Sequence, residues 1–469
     1  MFLPKVAAAT CAGLIALYSG LVWAQSTPDV SLINTDAITP NQARQVMVHA
    51  LRTNQTEAAQ VVAGSLLQYD PRDPTAHYAL AVTQSRKGAV DAARKSSRLA
   101  FRYAQTDVQR FHSASLSAKL AYQDKSLTWA QYWLRRAHSE ASSEVQQRSV
   151  ERDFKRVRAQ NPFRFHLDFS AAPSSNVNNG SLSRYMIIDG VPVIGVNVGD
   201  AMALSGVEAM LNARLSYRLN ESQTSETRIF GRYFSRRVAL SDDAKSIAPG
   251  ARGSDYAYTQ LETGLRHSFR QSKSGPIWSM GAAVGRAWKA DDPLHDLARL
   301  EAGATWQHSK TLTFSLTAQN EWRYLDAPGQ KHDTYTNLRG GVFKTTPRGD
   351  TVSASLAFSR LEDGNPVFSS RGTVARFRYT FAKPIGAVNV SAGLNFGFSD
   401  YANYRVGFIV VPGGRQDTSV SGQVDFTLQK MQYAGFAPVV TLRALETNSN
   451  VSRFDTRQFA INFGIRSSF

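Results

Sequence analysis

The sequence predicts an α+β multidomain protein in which an N-terminal helical-repeat domain precedes a 14-stranded antiparallel β-barrel. Three observations predict this fold class. The chain opens with an export signal, the region up to residue 158 has the composition and repeat spacing of helical hairpins, and from residue 161 apolar and polar residues alternate with a period of two. The predicted segments are 1–24 (signal peptide), 25–40 (linker), 41–160 (helical domain) and 161–469 (barrel).

The first 24 residues have the three parts of a cleaved secretory signal. Lys5 supplies the positive start, an apolar run extends from Val6 to Leu21, and Val22-Trp23-Ala24 forms the cleavage site. A retained membrane anchor is the alternative, but the run is short and interrupted by polar residues. Cys11, the single cysteine, lies within this run, so the mature chain has no disulfide and no cysteine metal site.

The formal net charge of +17 indicates anionic surroundings. Because the chain is exported, we expect no nucleic-acid partner. Acidic lipid head groups, lipopolysaccharide or an anionic substrate fit an exported basic protein, and a merely solvated basic surface is the alternative.

Residues 41–158 carry a repeat with the period of tetratricopeptide (TPR) helical hairpins. Asn54, Ala58, Ala59 and Tyr69 recur 34 residues later as Gly88, Ala92, Ala93 and Tyr103, and a looser helical pair follows over 109–141. Small residues at these positions let paired helices approach closely, and stacked pairs bury a continuous core. We therefore predict a TPR-like α-solenoid that binds a partner, with a structural spacer as the alternative.

From Asn161-Pro162 onward, apolar side chains alternate with polar ones, as in strands with one apolar face. Phe163, Phe165, Leu167 and Phe169, for example, alternate with Arg164, His166 and Asp168. Fourteen such segments lie near 163–172, 204–219, 224–238, 255–270, 276–288, 294–308, 311–324, 334–346, 350–361, 369–381, 386–399, 416–429, 436–447 and 456–469.

The connections between these segments alternate between longer ones, such as 173–203 and 400–415, and shorter ones, such as 309–310 and 346–349. Outer-membrane barrels combine short periplasmic turns with longer outside loops, and a sheet in lipid must close because an open edge leaves backbone groups unpaired. The prediction is therefore a transmembrane barrel in the bacterial outer membrane. Its even strand number places both ends on the periplasmic side, together with the helical domain.

The last segment ends in an aromatic residue, as bacterial outer-membrane barrels do. Phe459, Phe463 and Phe469 form the candidate assembly signal, which implies the barrel-assembly machinery as a partner and a periplasmic chaperone as a further one.

Motifs near the two ends of the barrel region resemble the Slam family, the surface lipoprotein assembly modulators. They are Ser174-Ser175-Asn176-Val177-Asn178, Gly413-Gly414-Arg415-Gln416-Asp417, Gly435-Phe436-Ala437-Pro438, Thr447-Asn448-Ser449-Asn450-Val451, Phe454-Asp455 and Phe469. The resemblance covers nearly the whole mature chain. It implies an outer-membrane translocon that moves a lipoprotein or a soluble protein from the periplasm to the cell surface or the medium. It brings no catalytic residues with it.

Two Ser-Asn-Val sites follow the first and the thirteenth strands and therefore lie at the outer rim. They comprise Ser175, Asn176 and Val177 at the first site and Ser449, Asn450 and Val451 at the second. In a closed barrel the first and last strands pair, which places both sites beside the closing seam. They are candidates for a seam that opens for a client, and ordinary turn chemistry is the alternative.

The alternation directs several arginines into the lumen. The candidates are Arg164, Arg266, Arg323, Arg376, Arg378, Arg443 and Arg466. A cationic lumen favours an acidic chain or a small anion. Pairing with Asp168, Glu262 and Glu321 is the alternative.

Nothing in the sequence predicts an enzyme or a cofactor. The nine histidines are scattered, and the acidic pairs Asp242-Asp243 and Asp291-Asp292 fall in predicted outside loops. The predicted function is export of a specific protein. An exopolysaccharide exporter and a passive porin-type channel are the alternatives, although a porin needs no helical domain.

Overall fold

The computed structural model describes residues 38–272, 274–325, 332–433 and 436–467. The predicted signal peptide, most of the predicted linker and Phe469 lie outside these residues. Residues 38–160 form seven helices, which are α1 (Pro40–Arg52), α2 (Thr56–Tyr69), α3 (Pro74–Arg86), α4 (Val90–Tyr103), α5 (Asp107–Gln123), α6 (Leu127–Ser139) and α7 (Glu144–Gln160). Within the described residues, no helix combines the length and the apolar character that crossing a bilayer requires.

The first six helices form three hairpins, and each hairpin turns through a residue with positive φ. These residues are Asn54 (φ 62°), Gly88 (φ 77°) and Lys125 (φ 56°). Asparagine and glycine tolerate this left-handed conformation at little cost, which explains why they recur at the predicted 34-residue offset. The repeated Ala59 and Ala93 are fully buried, as close helix packing requires.

Capping boxes fix where two of these helices begin. Thr39 and Gln42 exchange side-chain and backbone hydrogen bonds at the start of α1, and Thr106 and Gln109 do the same at α5. Phe111 on α5, Leu134 on α6 and Phe154 on α7 then pack into one apolar core. This core attaches α7 to the last hairpin, so α7 covers the end of the solenoid that leads into the barrel.

Fourteen antiparallel strands follow and close into a barrel, which confirms the predicted fold class. They are β1 (Phe163–Ser174), β2 (Gly206–Glu221), β3 (Ser225–Leu240), β4 (Tyr258–Arg270), β5 (Ile277–Lys289), β6 (Asp292–Gln307), β7 (Leu312–Leu325), β8 (Asp333–Thr345), β9 (Thr351–Glu362), β10 (Ser370–Thr380), β11 (Asn389–Tyr401), β12 (Arg415–Thr427), β13 (Phe436–Ser449) and β14 (Thr456–Ser467). Each strand pairs with the next one along the chain, and β1 pairs with β14.

The pairing register separates an apolar face from a polar one. Phe165 lies opposite Leu215, and these side chains are 53% and 45% exposed. Exposed apolar side chains continue around this face on other strands, including Leu265, Met280, Leu300, Leu316, Phe358, Phe377, Leu394, Val420 and Phe463. The opposite face carries the arginines, glutamates, serines and asparagines, so the polar face lines the lumen.

The two ends of the barrel differ in their connections. The end that bears the helical domain is called the near end and the other the far end. The far end has the long segments 175–205, 241–257 and 402–414, in line with the predicted alternation. The far-end connections 290–291, 363–369 and 450–455 depart from that alternation, because each is shorter than the near-end connections 381–388 and 428–435. Ala290-Asp291 alone joins β5 to β6, with φ values of 53° and 69°, so Asp291 lies in a tight turn and Asp292 begins a strand.

Segments at the far end pack into two small apolar clusters. The short helix α8 (Asp242–Ile247) contributes Ala244 to a cluster with Val177 and Leu204. A hairpin formed by Tyr185–Ile188 and Val191–Val196 contributes Ile188 to a second cluster with Tyr404 and Val451. These clusters give the far-end loops a fixed arrangement over the barrel rim.

Candidate functional site

The seam between β1 and β14 closes the barrel. Phe169 lies opposite Ile465, Ala171 opposite Phe463, and Ser174 opposite Ala460. Gly464 lets the two strands approach closely, because a Cβ atom there would lie 2.7 Å from the Phe169 carbonyl oxygen. Pro173, near the far end of β1, has no backbone N–H to donate to either neighbouring strand.

At the far end, the last residue of β1 and the two residues after it accept hydrogen bonds from β14. The Gln458 amide donates to Ser174 Oγ (2.8 Å) and to the Asn176 carbonyl oxygen (3.1 Å). The Phe459 backbone N–H donates to Ser175 Oγ (3.2 Å). These bonds extend the seam beyond the residues that pair as strands.

The loop 175–205, called the first far loop, also crosses the seam and contacts the β13–β14 connection. The Leu182 N–H donates to the Asp455 carbonyl oxygen (2.9 Å), and the Asp189 N–H donates to that of Asn450 (2.9 Å). The Ser452 hydroxyl accepts from the Ile187 N–H (2.9 Å). The first far loop, which follows β1, therefore bridges the far end of the seam by bonding to the residues that precede β14.

The two predicted Ser-Asn-Val sites lie at this end, on opposite sides of the seam. Asn176 is buried and bonds twice to Gly180, whereas Asn450 donates to Asp189 Oδ1 (3.0 Å) and to the Gly414 carbonyl oxygen (2.9 Å). Val177 and Val451 are both fully buried, in the two different far-end clusters. The hairpin of the first far loop lies between the two sites and pairs with the second through Ile188 and Val451.

At the near end, the helical domain contacts the strands on the β1 side of the seam. Helix α7 leads through Asn161 and Pro162 directly into β1. Arg218 on β2 donates to the carbonyl oxygens of Ala159 (3.1 Å) and Gln160 (2.7 Å), which end α7. Arginine at a helix C-terminus satisfies carbonyls that have no partner within the helix.

The helical domain also contacts the turn between β12 and β13, which lies on the other side of β14. The guanidinium of Arg136 on α6 lies 4.4 Å from the Tyr433 ring centre, and that of Arg135 lies 5.5 Å from the Phe436 ring centre. The Gln432 amide lies 3.0 Å from His138 Nδ1. Burial lowers the pKa of the Arg135 guanidinium, and the aromatic rings beside it partly replace its lost hydration.

These contacts place the helical domain across the near end of the seam, because it is fixed to β1 and β2 on one side and to the β12–β13 turn on the other. Strand β14 lies between the two attachments. A movement of α6 relative to α7 would therefore act on both sides of the seam at once.

Inside the barrel, β2 to β7 form a wall of paired charges, called the paired wall. Arg299 is 8% exposed and contacts Glu262 and Glu321, which are equally buried. Arg323 bonds to Glu321 (2.8 Å), Arg266 to Glu301 (2.6 Å), and Arg236 to Glu208. Arg266 and Glu301 both lie opposite Gly281, so their ion pair extends over the strand between them.

A second charge network crosses five strands near the seam. The buried carboxylate of Asp425 on β12 accepts from Thr441 on β13 (2.6 Å) and from Arg378 on β10. Ser391 on β11 donates to it (3.2 Å), and Arg466 on β14 lies 3.8 Å away. Asp425 thus connects β14, on one side of the seam, to the neighbouring strands β10 to β13.

All seven predicted lumen arginines lie on the polar face, but their surroundings differ. Arg164 (3.8 Å from Glu226), Arg266, Arg323, Arg378 and Arg466 have carboxylate partners. In the part of the chain that the structure describes, no salt bridge forms at Arg376 or Arg443. The predicted partner Asp168 pairs instead with His166 (3.0 Å).

Sequence reasoning missed the residues that join the helical domain to the barrel. Tyr433 and Gln432 lie in the β12–β13 connection, one of the two longest near-end connections, and its length and aromatic residue were the available signals. Among the described residues, no three His, Cys, Asp or Glu side chains cluster as ligands of a metal ion would.

Comparisons with known proteins give distant likenesses. No protein-family model and no curated protein sequence matches the chain. The alignment with the Yersinia enterocolitica type III secretion translocator chaperone SycD covers 26% of this chain and 88% of the SycD chain. The identity is 15% and the TM-score is 0.24.

Two further solved structures are similar over about two thirds of the chain. Acinetobacter baumannii OccAB3 covers 64% of this chain and 98% of its own, at 9% identity and a TM-score of 0.33. A Pseudomonas aeruginosa FadL homologue covers 66% of this chain and 93% of its own, at 9% identity and a TM-score of 0.32.

Proposed function

We propose that this protein is a translocon of the bacterial outer membrane that exports a specific protein, lipidated or soluble, from the periplasm. The closed barrel with an apolar outer face and a polar inner face is what a lipid environment requires. The resemblance to the Slam family supports the same function.

The observation that carries the proposal is the attachment of the helical domain to both sides of the seam. A channel for small solutes gains nothing from a helical solenoid fixed at its entrance, whereas a translocon needs a domain that selects its client and couples selection to passage. The contacts of Arg136 with Tyr433 and of Arg218 with the end of α7 supply this coupling. The helical domain is thus the client-selecting part and lies in the periplasm.

Passage involves opening of the β1–β14 seam in this proposal. Pro173 removes one backbone hydrogen-bond donor from the seam, while the first far loop and the helical domain hold the two ends of the seam. Client binding at the helical domain would release the near end first. No chemistry is needed, and the protein acts without catalysis or cofactor.

Deletion of residues 41–158 tests this function against a porin. Cells that carry the full chain, no chain, or the deleted chain are compared by protease treatment of their surface proteins. We expect one or a few proteins to disappear from the surface and accumulate in the periplasm in both defective strains. An unchanged set of surface proteins, together with lost uptake of a small solute in cells without the chain, would instead establish a porin.

A second measurement shows whether the deleted chain fails to select its client or fails to fold and insert as a barrel. The purified deleted chain is tested for conductance in planar bilayers and for the altered gel migration of a folded barrel. A folded, inserted barrel that no longer exports its client supports a selecting role for the helical domain. Export that continues at the normal rate without residues 41–158 contradicts it.

A further inference from the structure

Three arginines on the inner face of β8, β10 and β13 differ from the other inner arginines described above. Arg339, Arg376 and Arg443 are exposed to the lumen, and among the described residues none of them forms a salt bridge. Their partners across the strands are small or neutral, as with Thr317 and Ala357 beside Arg339. These three residues are called the arginine half-belt.

Among the described residues, no salt bridge from the half-belt links one strand to another. Buried arginines such as Arg299 are retained by carboxylates that remove the cost of burying a charge. Exposed arginines without such partners stay hydrated and contribute little to stability. A set of solvated cations on one wall of a polar lumen is instead suited to attract and bind anions.

The spacing of the half-belt fits an extended chain. Neighbouring strands lie about 4.8 Å apart, so Arg339 and Arg376, two strands apart, are separated by about 10 Å, and Arg376 and Arg443, three strands apart, by about 14 Å. An extended polypeptide advances about 3.3 Å per residue, so carboxylates three or four residues apart reach successive arginines. The planar guanidinium binds each carboxylate through two hydrogen bonds.

We propose that the half-belt binds the carboxylates of an acidic, extended polypeptide segment within the lumen. This inference rests on the proposed export function and names the chemistry of the segment that passes. Asn395 and Ser421, whose side chains hydrogen-bond to each other at 2.9 Å between Arg376 and Arg443, provide neutral polar contacts along the same path.

The test measures binding of a fluorescent peptide of alternating Glu and Ser residues to the purified full chain in detergent. The variant carries Arg339→Gln, Arg376→Gln and Arg443→Gln. The matched control carries Arg360→Gln, Arg371→Gln and Arg457→Gln, which remove the same charge from the outer face. We expect about a tenfold or greater loss of affinity in the half-belt variant and less than about twofold in the control, since only the former loses charge-assisted bonds.

Several outcomes would overturn the proposal. They are equal losses in both triple variants, an unchanged affinity in the half-belt variant, and equally tight binding of a Gln–Ser peptide by the unaltered chain. If the triple variant fails to fold, Arg376→Lys serves instead. It keeps the charge but loses the two-bond geometry, so we expect a partial loss of affinity, and full affinity would contradict the proposal.

Because binding is measured without export, the two proposals fail separately. An unchanged set of surface proteins in cells without the chain, together with intact peptide binding, counts against the translocon alone. Normal export by a chain that does not bind the peptide counts against the half-belt alone.

Discussion

Most inner arginines of β2 to β7 pair with carboxylates, whereas three inner arginines of β8 to β13 form no salt bridge among the described residues. In β2 to β7, buried arginines and glutamates pair across the wall, as Arg299 does with Glu262 and Glu321. In β8 to β13, the arginine half-belt has no carboxylate partners among the described residues, and the adjoining β14 forms the seam with β1. Inner arginines therefore serve as structural elements in the paired wall and beside Asp425, and as solvated cations in the half-belt.

This difference indicates a division of roles. Ion pairs that extend over an intervening strand fix three strands together, which makes the paired wall a rigid frame. The other half contains the seam, the half-belt and the turn that the helical domain contacts. Apart from the contact of Arg218 on β2 with α7, the proposed export steps therefore take place in one half of the barrel, supported by the other.

The largest expected effect is in the paired wall. Glu262→Gln removes a carboxylate from beside Arg299 and Arg232 and leaves the buried Arg299 with Glu321 as its remaining carboxylate partner. We expect a loss of about 3 kcal/mol in the free energy of unfolding, at the lower end for a broken buried pair because Glu321 remains, measured by urea titration of the barrel in lipid vesicles. Glu446→Gln is the control, because its partner Arg457 is exposed and the pair is worth about 1 kcal/mol or less. Similar losses of unfolding free energy in Glu262→Gln and Glu446→Gln would show that the paired wall is not a rigid frame.

The next effect concerns the seam. Gly464→Ala places a Cβ atom 2.7 Å from the Phe169 carbonyl oxygen, so the two backbones must separate. We expect a destabilisation of about 1–3 kcal/mol and faster hydrogen exchange of β1 and β14 amides. Gly340→Ala is the matched control, since a Cβ there meets nothing within 4 Å. Equal exchange rates in both variants would contradict a tight seam at Gly464.

A smaller effect is expected where the helical domain contacts the barrel. Tyr433→Ala removes the ring beside Arg136, an interaction worth about 0.5–2 kcal/mol. We expect faster protease cleavage between the two domains, with the helical domain itself still folded. A double-mutant cycle with Arg136→Ala measures the coupling energy. Zero coupling would show that the β12–β13 turn is not held through this pair.

The smallest effect is expected in the half-belt. Arg376→Gln breaks no ion pair among the described residues, so the free energy of unfolding should change by no more than about 0.5 kcal/mol. The same urea titration measures it. A loss as large as that of Glu262→Gln would mean that Arg376 has a structural role, and the contrast between the two halves would fail.

The strands and their faces could be predicted because a strand has an exact two-residue period. Phe165 and Arg164 point to opposite faces whatever the partner strand is, and the register then places Phe165 beside Leu215. The repeat of Asn54 and Gly88 was visible because a hairpin turn demands a residue that tolerates positive φ.

The site depends on contacts that local patterns do not encode. Gln432 and His138 are 294 residues apart in the sequence, so nothing near either residue indicates the contact. Whether an inner arginine is paired depends on a residue two strands away, as with Arg266 and Glu301 across Gly281. The alternation therefore predicted that Arg266 and Arg376 both face the lumen, but not that only one of them has a carboxylate partner.

The most direct test of the account locks the seam with a disulfide. Ala171→Cys and Phe463→Cys lie opposite each other across β1 and β14, and Cys11, the only native cysteine, lies in the predicted signal. Ser268→Cys with Ser279→Cys makes the equivalent lock within the paired wall. Surface delivery of the client is measured with each lock oxidised and then reduced. We predict that oxidation stops delivery only for the seam lock and that reduction restores it. Undiminished delivery through a fully oxidised seam would contradict the account.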